Sequence, residues 1–142
     1  MQKSHRAPTP DAIAPDGMAI RHLIDAAQGA KKLSLAEGAL GPGQRSAKVY
    51  HTTYEEIWYF LHGEGIFHLH MPGAEIDAEE STQVRPGDAL HVPPHHGFWV
   101  ENTGTDELIV LLAGAPPWGS GQEVHPWPQR PPSGQLEGET QG

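Results

Sequence analysis

The sequence predicts an all-β fold, and three observations predict it. Short apolar runs alternate with turn signals, "GPG", "HGEG", "RPGD", "PPHHG" and "NTGTDE", each built on Gly, Pro, Asn or Asp. No stretch keeps a helical period through three turns; "RHLIDAAQGAKKL" comes nearest and is interrupted by Gly29. The 17 Gly and 14 Pro make up about a fifth of the 142 residues, an excess that reads as many turns between many short strands. At this length, evenly spaced short strands close into one β-sandwich or jelly-roll barrel.

Taken in order, the expected strands are Met18–Ile24, Lys32–Leu40, Ser46–His51, Ile57–Leu61, Ile66–Met71, Gln83–Arg85, Ala89–Val92, Phe98–Asn102 and Leu108–Ala113. They define one β-barrel domain over residues 18–113. Residues 1–17 are polar and contain proline, and read as a flexible N-terminal arm. Residues 114–142 hold six of the fourteen prolines, so this Pro/Gly-rich C-terminal tail is neither a helix nor a central strand. Trp118 and Trp127 are costly to leave in water, so the first half of the tail is expected to pack on the barrel or on a partner subunit.

A net charge of −9 argues against nucleic acid and against an anionic membrane surface, both of which call for basic residues. No apolar run reaches the length of a membrane span, and "MQKSHRAPTPDAIAPDG" has no apolar signal core. With no cysteine there is neither disulfide nor thiolate chemistry, which suits a cytoplasmic protein. Any metal would be held by carboxylates and some of the ten histidines. A small barrel has exposed sheet edges, so a homodimer is expected, with strand edges or the Trp118 segment covered by the partner.

"GQRSAKVYHTTYEEIWYFLHG" resembles the first motif of the cupin superfamily, G-x5-H-x-H-x3-4-E-x6-G, and "GDALHVPPHHGFWVEN" resembles its second, G-x5-P-x-G-x2-H-x3-N. The match runs over Gly43–Asn102, with Gly43, Gly63, Gly87, Pro93 and Asn102 at the family's spacings. The resemblance implies a cupin jelly roll. It also assigns four metal-ligand positions, which here hold Val49, His51, Glu56 and Phe98, so two of the four usual ligands are replaced. At position 95, where the family carries a turn glycine, stands the first histidine of a His95–His96 pair.

Two readings of the site follow. Residues two apart on a strand share a face, so a strand extending back to His96 would gather His51, Glu56 and His96 around one divalent transition metal (Fe, Mn, Ni, Cu or Zn). Without a metal, Glu56 and His51 form an acid–imidazole pair able to exchange protons near neutrality, and are the expected catalytic residues. Val49, Trp58, Phe60, Phe98 and Val100 would supply the apolar wall of the pocket. The expected function is an enzyme of isomerase, epimerase, lyase or cyclase type acting by proton transfer on a small polar or sugar-like carbonyl compound. The alternatives are a small-molecule binding or sensor module and a metal-dependent dioxygenase. "HLH" at 68–70 reads as surface histidines, Glu55 as a solvated charge, and His91 as able to face either way.

Overall fold

The computed structural model describes residues 1–73, 79–118 and 124–128. Among these described residues, eleven strands form two antiparallel sheets. They are β1 (Ala12–Ile13), β2 (Ala19–Ile24), β3 (Ser34–Leu40), β4 (Val49–Tyr50), β5 (Glu55–His62), β6 (Gly65–His70), β7 (Glu79–Val84), β8 (Ala89–Val92), β9 (Gly97–Asn102), β10 (Leu108–Ala115) and β11 (His125–Pro126). One sheet has the order β1-β2-β3-β10-β5-β8 and the other β11-β4-β9-β6-β7. The expected jelly-roll architecture is present. Helical structure among the described residues is limited to a 3-10 turn at Ala26–Gln28, capped by Asp25 and ended at Gly29 in the left-handed conformation. No helix among them is long and apolar enough to cross a membrane.

The core lies between the sheets and is set by strand alternation. Along β5, Glu56, Trp58 and Phe60 point inward, while Glu55, Ile57, Tyr59 and Leu61 point out. Its partner β10 buries Leu108, Val110 and Leu112 on the same side, and β9 answers from the facing sheet with Phe98 and Val100. Each such side chain contributes about 1.5–3 kcal/mol of burial. Ile57, Tyr59 and Leu61 remain exposed on the outer face.

Asn102 joins the layers at one end. Its Nδ2 donates to the carbonyls of Leu40 and Asp106, each at 2.9 Å, and its Oδ1 accepts from the Gly104 amide at 3.0 Å. Nearby, Gly63 turns at φ 82°, and a side chain there would meet the Glu107 carbonyl at 2.5 Å. The family's Asn and Gly landmarks are thus structural at this end of the molecule.

Both chain ends lie against the barrel. In place of a free arm, the N-terminal residues lie on the first sheet, with Ala12 opposite Ile20 and Ile13 opposite Ala19. Arg6 donates to both carboxylate oxygens of the buried Glu37, at 2.9 and 3.0 Å, and Arg21 donates to the carbonyls of Ala7 and Pro8. The "PDG" sequence at 15–17 makes the turn from β1 into β2, with Gly17 at φ 97°. In the tail, His125 and Pro126 pair with Tyr50 and Val49, and the Trp127 ring covers Gly97, where a Cβ would approach the indole to 2.5 Å. The rest of the tail from residue 129 lies outside the described residues.

Replacing Asn102 by Ala removes the side-chain partner of two carbonyls and an amide. We expect Asn102→Ala to lower stability by roughly 2–4 kcal/mol in urea unfolding. A loss below about 0.5 kcal/mol, within the range of ordinary surface changes, would show that the Asn102 bonds do not hold the sheets together.

Candidate functional site

A cavity of about 180 Å³ opens between the sheets at the end away from Asn102. It is comparable with an engineered apolar cavity of about 150 Å³ that takes up benzene. Val49 and Phe98 stand directly opposite each other in the β4–β9 ladder and form one wall. Trp58, Leu112 and Met18 supply the interior, and Trp118 and Val124 from the tail close one side. Ala12, Ala14 and Pro15 from the arm close another, and the exposed Ile13 stands at the rim.

The polar groups converge on this apolar space. His51 follows β4 directly and, two residues past Val49, keeps its side. Its Nε2 lies 3.8 Å from Glu56 Oε1, and both residues are buried. The same Glu56 oxygen accepts a 3.0 Å hydrogen bond from Trp58 Nε1, a bond possible because both side chains occupy the inward phase of β5. The His51 ring packs edge-on to Tyr54 and at a tilt to Phe98.

Tyr54 lies one further inward step before Glu56. Its hydroxyl is hydrogen-bonded to Ser34, and burial, helped by the Glu56 charge, pushes its pKa up to about 12 despite that bond. A Cβ at position 114 would overlap the Tyr54 hydroxyl, so the close crossing of β10 requires Gly114. Ser34 Oγ also accepts from the Trp118 amide at 3.0 Å, and the Trp118 ring meets Tyr54 edge-on.

Asp16, on the turn between β1 and β2, brings a second carboxyl to the cavity. Burial pushes this carboxyl above its ordinary value. The Met18 amide, donating to Oδ1 at 3.0 Å, opposes the shift, the Glu56 charge adds to it and His51 reduces it.

The residues expected at the site separate into two groups. His51, Glu56, Val49, Trp58 and Phe98 are all at the cavity. Phe60 and Val100 are not: one inward step further along their strands, they are wholly buried in the core behind it. His96 does not join His51 and Glu56. The strand begins only at Gly97, and His95 before it adopts a left-handed φ of 68°, which breaks the alternation that would have aimed His96 inward. The His96 Nδ1–H donates instead to the Pro94 carbonyl at 3.0 Å, and the His95 amide donates to the His51 carbonyl.

No three His, Asp or Glu side chains among the described residues are grouped so as to hold a metal ion. The two facing positions that would complete a set with His51 and Glu56 carry the apolar Val49 and Phe98, so the residues present do not fit a resident metal.

The remaining candidates lie elsewhere. His91 faces outward with Glu55 at 3.0 Å. His68 lies on the opposite face of its sheet from the cavity, stacked on Trp99 at 3.8 Å and bonded to Ser81 and Glu101, each at 2.7 Å. His70 is also on that side; it is buried, where a surface position was expected, and lies under Trp127 with Lys48 Nζ at 3.0 Å from its Nδ1.

Sequence reasoning missed Asp16, Tyr54 and the wall residues from the arm. The signals were present. "DG" between Ile13 and Met18 marks a hairpin turn, and Tyr54, Glu56 and Trp58 form one period-2 series.

Two outcomes are expected from this geometry. Because the folded-state pKa of Tyr54 lies above the usual 10, its contribution to stability is whole below pH 10 and is lost as pH rises through about 12. Urea unfolding of the wild type should lose at most about 1.4 kcal/mol per pH unit from this group over that range, and Tyr54→Phe should flatten the slope. An equal slope in both proteins would place the alkaline loss elsewhere. Installing the absent donors is the second test. Val49→His with Phe98→His should raise zinc or manganese affinity at least about tenfold, since four donors then face one space. Unchanged affinity in a folded double variant would mean that the two strands do not present these positions to a common point.

Comparison with known proteins agrees with this architecture. The model of the family described as "Cupin domain" matches residues 37–114. The uncharacterized protein MJ1618 of Methanocaldococcus jannaschii is 33% identical over 108 residues, covering 75% of this chain and 79% of that one. Among solved structures, the polyketide cyclase RemF of Streptomyces resistomycificus is similar over 97% of this chain and 93% of its own, at TM-score 0.65 and 20% identity. Oxalate decarboxylase of Bacillus subtilis is similar at TM-score 0.61 and 21% identity over 75% of this chain. The capsular polysaccharide assembling protein CapF of Staphylococcus aureus is similar at TM-score 0.61 and 14% identity over 71% of it. This chain spans only 30% of the decarboxylase chain and 27% of CapF, and at these identities the structural likeness is one of fold. From the sequence match, the relative and the folded barrel together, the chain belongs to the cupin domain family.

Proposed function

We propose that this cupin is an enzyme that moves a proton on a small carbonyl compound, of the isomerase, lyase or cyclase type, with Glu56 as the principal acid–base group. The observation that carries the reading is the Glu56–His51 pair, 3.8 Å apart and buried at an otherwise apolar cavity. A carboxylate is costly in such a place, and apolar replacement there would often be stabilising, so its retention is best explained by chemistry.

The wall selects the substrate's shape. Trp58, Phe98, Tyr54 and Trp118 offer ring faces and edges around a space suited to one or two fused rings. A flat, apolar, enolisable ketone fits better than the sugar-like compound suggested by sequence alone. The full-length likeness of fold to a protein described as a polyketide cyclase is in keeping with the cyclase option.

Glu56 would take the proton from the carbon beside the carbonyl. His51 orients it and offers a second site for that proton, while the apolar walls exclude water. Among the described residues the dioxygenase alternative lacks the donor set it would need. The binding-module reading is favoured by one observation, the replacement of two polar family positions with the space-filling Val49 and Phe98.

The test follows deuterium entry at the α-carbon of 2-tetralone in D2O by NMR. Wild type should accelerate the exchange, and Glu56→Gln should slow it at least about 100-fold while quenching of Trp fluorescence shows 2-tetralone still bound. Binding without exchange by the wild type would make the binding module the better reading.

A further inference from the structure

Beyond the Glu56–His51 pair, the N-terminal turn brings a third ionisable group to the same cavity. We propose that Asp16 is a second catalytic carboxyl, the acid that gives its proton to the carbonyl oxygen while Glu56 removes the α-proton. This inference rests on the proton-transfer reading of the site and adds a residue outside both family motifs.

The geometry behind it is specific. Asp16 lines the cavity from the turn between β1 and β2 and Glu56 lines it from β5, both of the first sheet, whereas His51 follows β4 of the second. A ligand there meets two carboxyls on separate elements of one sheet and an imidazole from the other. The turn is fixed at several points: the Ala14 amide donates to the Met18 carbonyl, the Gly17 amide to the Ala14 carbonyl and the Ala47 amide to the Asp16 carbonyl, each at 2.8 Å. The last of these ties the turn to the segment leading into Val49. Farther back, the Arg6–Glu37 pair and the bonds from Arg21 to Ala7 and Pro8 hold the arm down.

The electrostatics are in keeping with the role. Burial and the Glu56 charge favour the protonated form of Asp16, the form with a proton to give, against the opposing Met18 amide and His51. The other ionisable groups facing this space are Tyr54 beside His51, and His22 and Asp25 at the far end of β2.

The step balances without a further reagent. Glu56 carboxylate takes the α-proton, the C–H electrons become the carbon–carbon double bond, and the carbonyl π electrons move to oxygen. Oxygen takes the Asp16 proton, leaving an enol, a neutral Glu56 and an ionised Asp16. Reversal after exchange with solvent returns deuterium to carbon.

Asp16→Asn keeps an acceptor for the Met18 amide, so the turn should survive, and circular dichroism checks it. Exchange of 2-tetralone at saturation should fall about 10- to 100-fold with little change in KM, and Asp16→Glu should recover part of the rate. Affinity for 2-naphthol, a stable likeness of the enol, should drop about tenfold in Asp16→Asn by quenching of Trp fluorescence. Wild-type exchange rate and 2-naphthol affinity in Asp16→Asn, with Glu56→Gln inactive, would overturn the role of Asp16 and leave the Glu56 reading standing. A wild type inert towards 2-tetralone, whose 2-naphthol binding nevertheless depends on Asp16, would do the opposite: the proton-transfer reading falls, and Asp16 stands as the group that meets the ligand oxygen. If the wild type neither exchanges 2-tetralone nor binds 2-naphthol, both fail.

Discussion

An ionisable carboxyl inside an apolar sandwich has to be given partners, and in this protein the partners of Glu56 organise much of what surrounds it. Trp58 Nε1 satisfies one oxygen from the same strand face, and His51 stands by that oxygen from the facing sheet. For the indole to reach, residues 56 and 58 must share the inward phase of β5, and that phase then carries Phe60 into the core and Ile57, Tyr59 and Leu61 to the outside. A one-residue slip of β5 would bury Glu55 and Tyr59 and expose Trp58. The site and the core are therefore specified by the same alternation.

The two ends of the chain complete what the barrel begins. Strand pairs alone leave the space between Val49, Phe98 and Trp58 open, and it becomes a cavity because Pro15 and Asp16 approach from one side and Trp118 and Val124 from another. These contacts depend on polar anchors: Arg6 on Glu37, the Trp118 amide on Ser34, and the Trp127 amide on the Lys48 carbonyl. Tyr54 links the end of the barrel strand to the tail, touching Ser34 and Trp118 while its hydroxyl rests over Gly114.

Most of the barrel is legible in the sequence because alternation and turn chemistry are local properties. The Gly63 and Asn102 landmarks mark a real junction, and β8 falls on its expected residues. Legibility fails where tertiary contacts override local composition. Residues 1–17 look too polar to order themselves, yet Arg6 finds a buried carboxylate that no local pattern announces. Alternation extrapolated through "PPHHG" aims His96 inward, and the left-handed residue at His95 resets that phase. Phe60 and Val100 have the correct inward phase but the wrong depth, because period-2 reasoning gives the side of a sheet and not the position along it. The parts of the cavity wall that come from the tail, Trp118 and Val124, are likewise placed by tertiary contacts that no strand pattern announces.

The placement of β1 and β11 has a consequence for the margins of the two sheets. β1 pairs along the outer side of β2, and β11 along the outer side of β4, so each short end segment occupies the margin of a different sheet. A bare margin is a row of unpaired amides and carbonyls that recruits strands from other molecules. The proline in β11 lacks an amide hydrogen and so cannot pass the ladder onward. The two ends thus act as selvedges for one margin of each sheet, and trimming either one would bare the row of amides and carbonyls along β2 or β4.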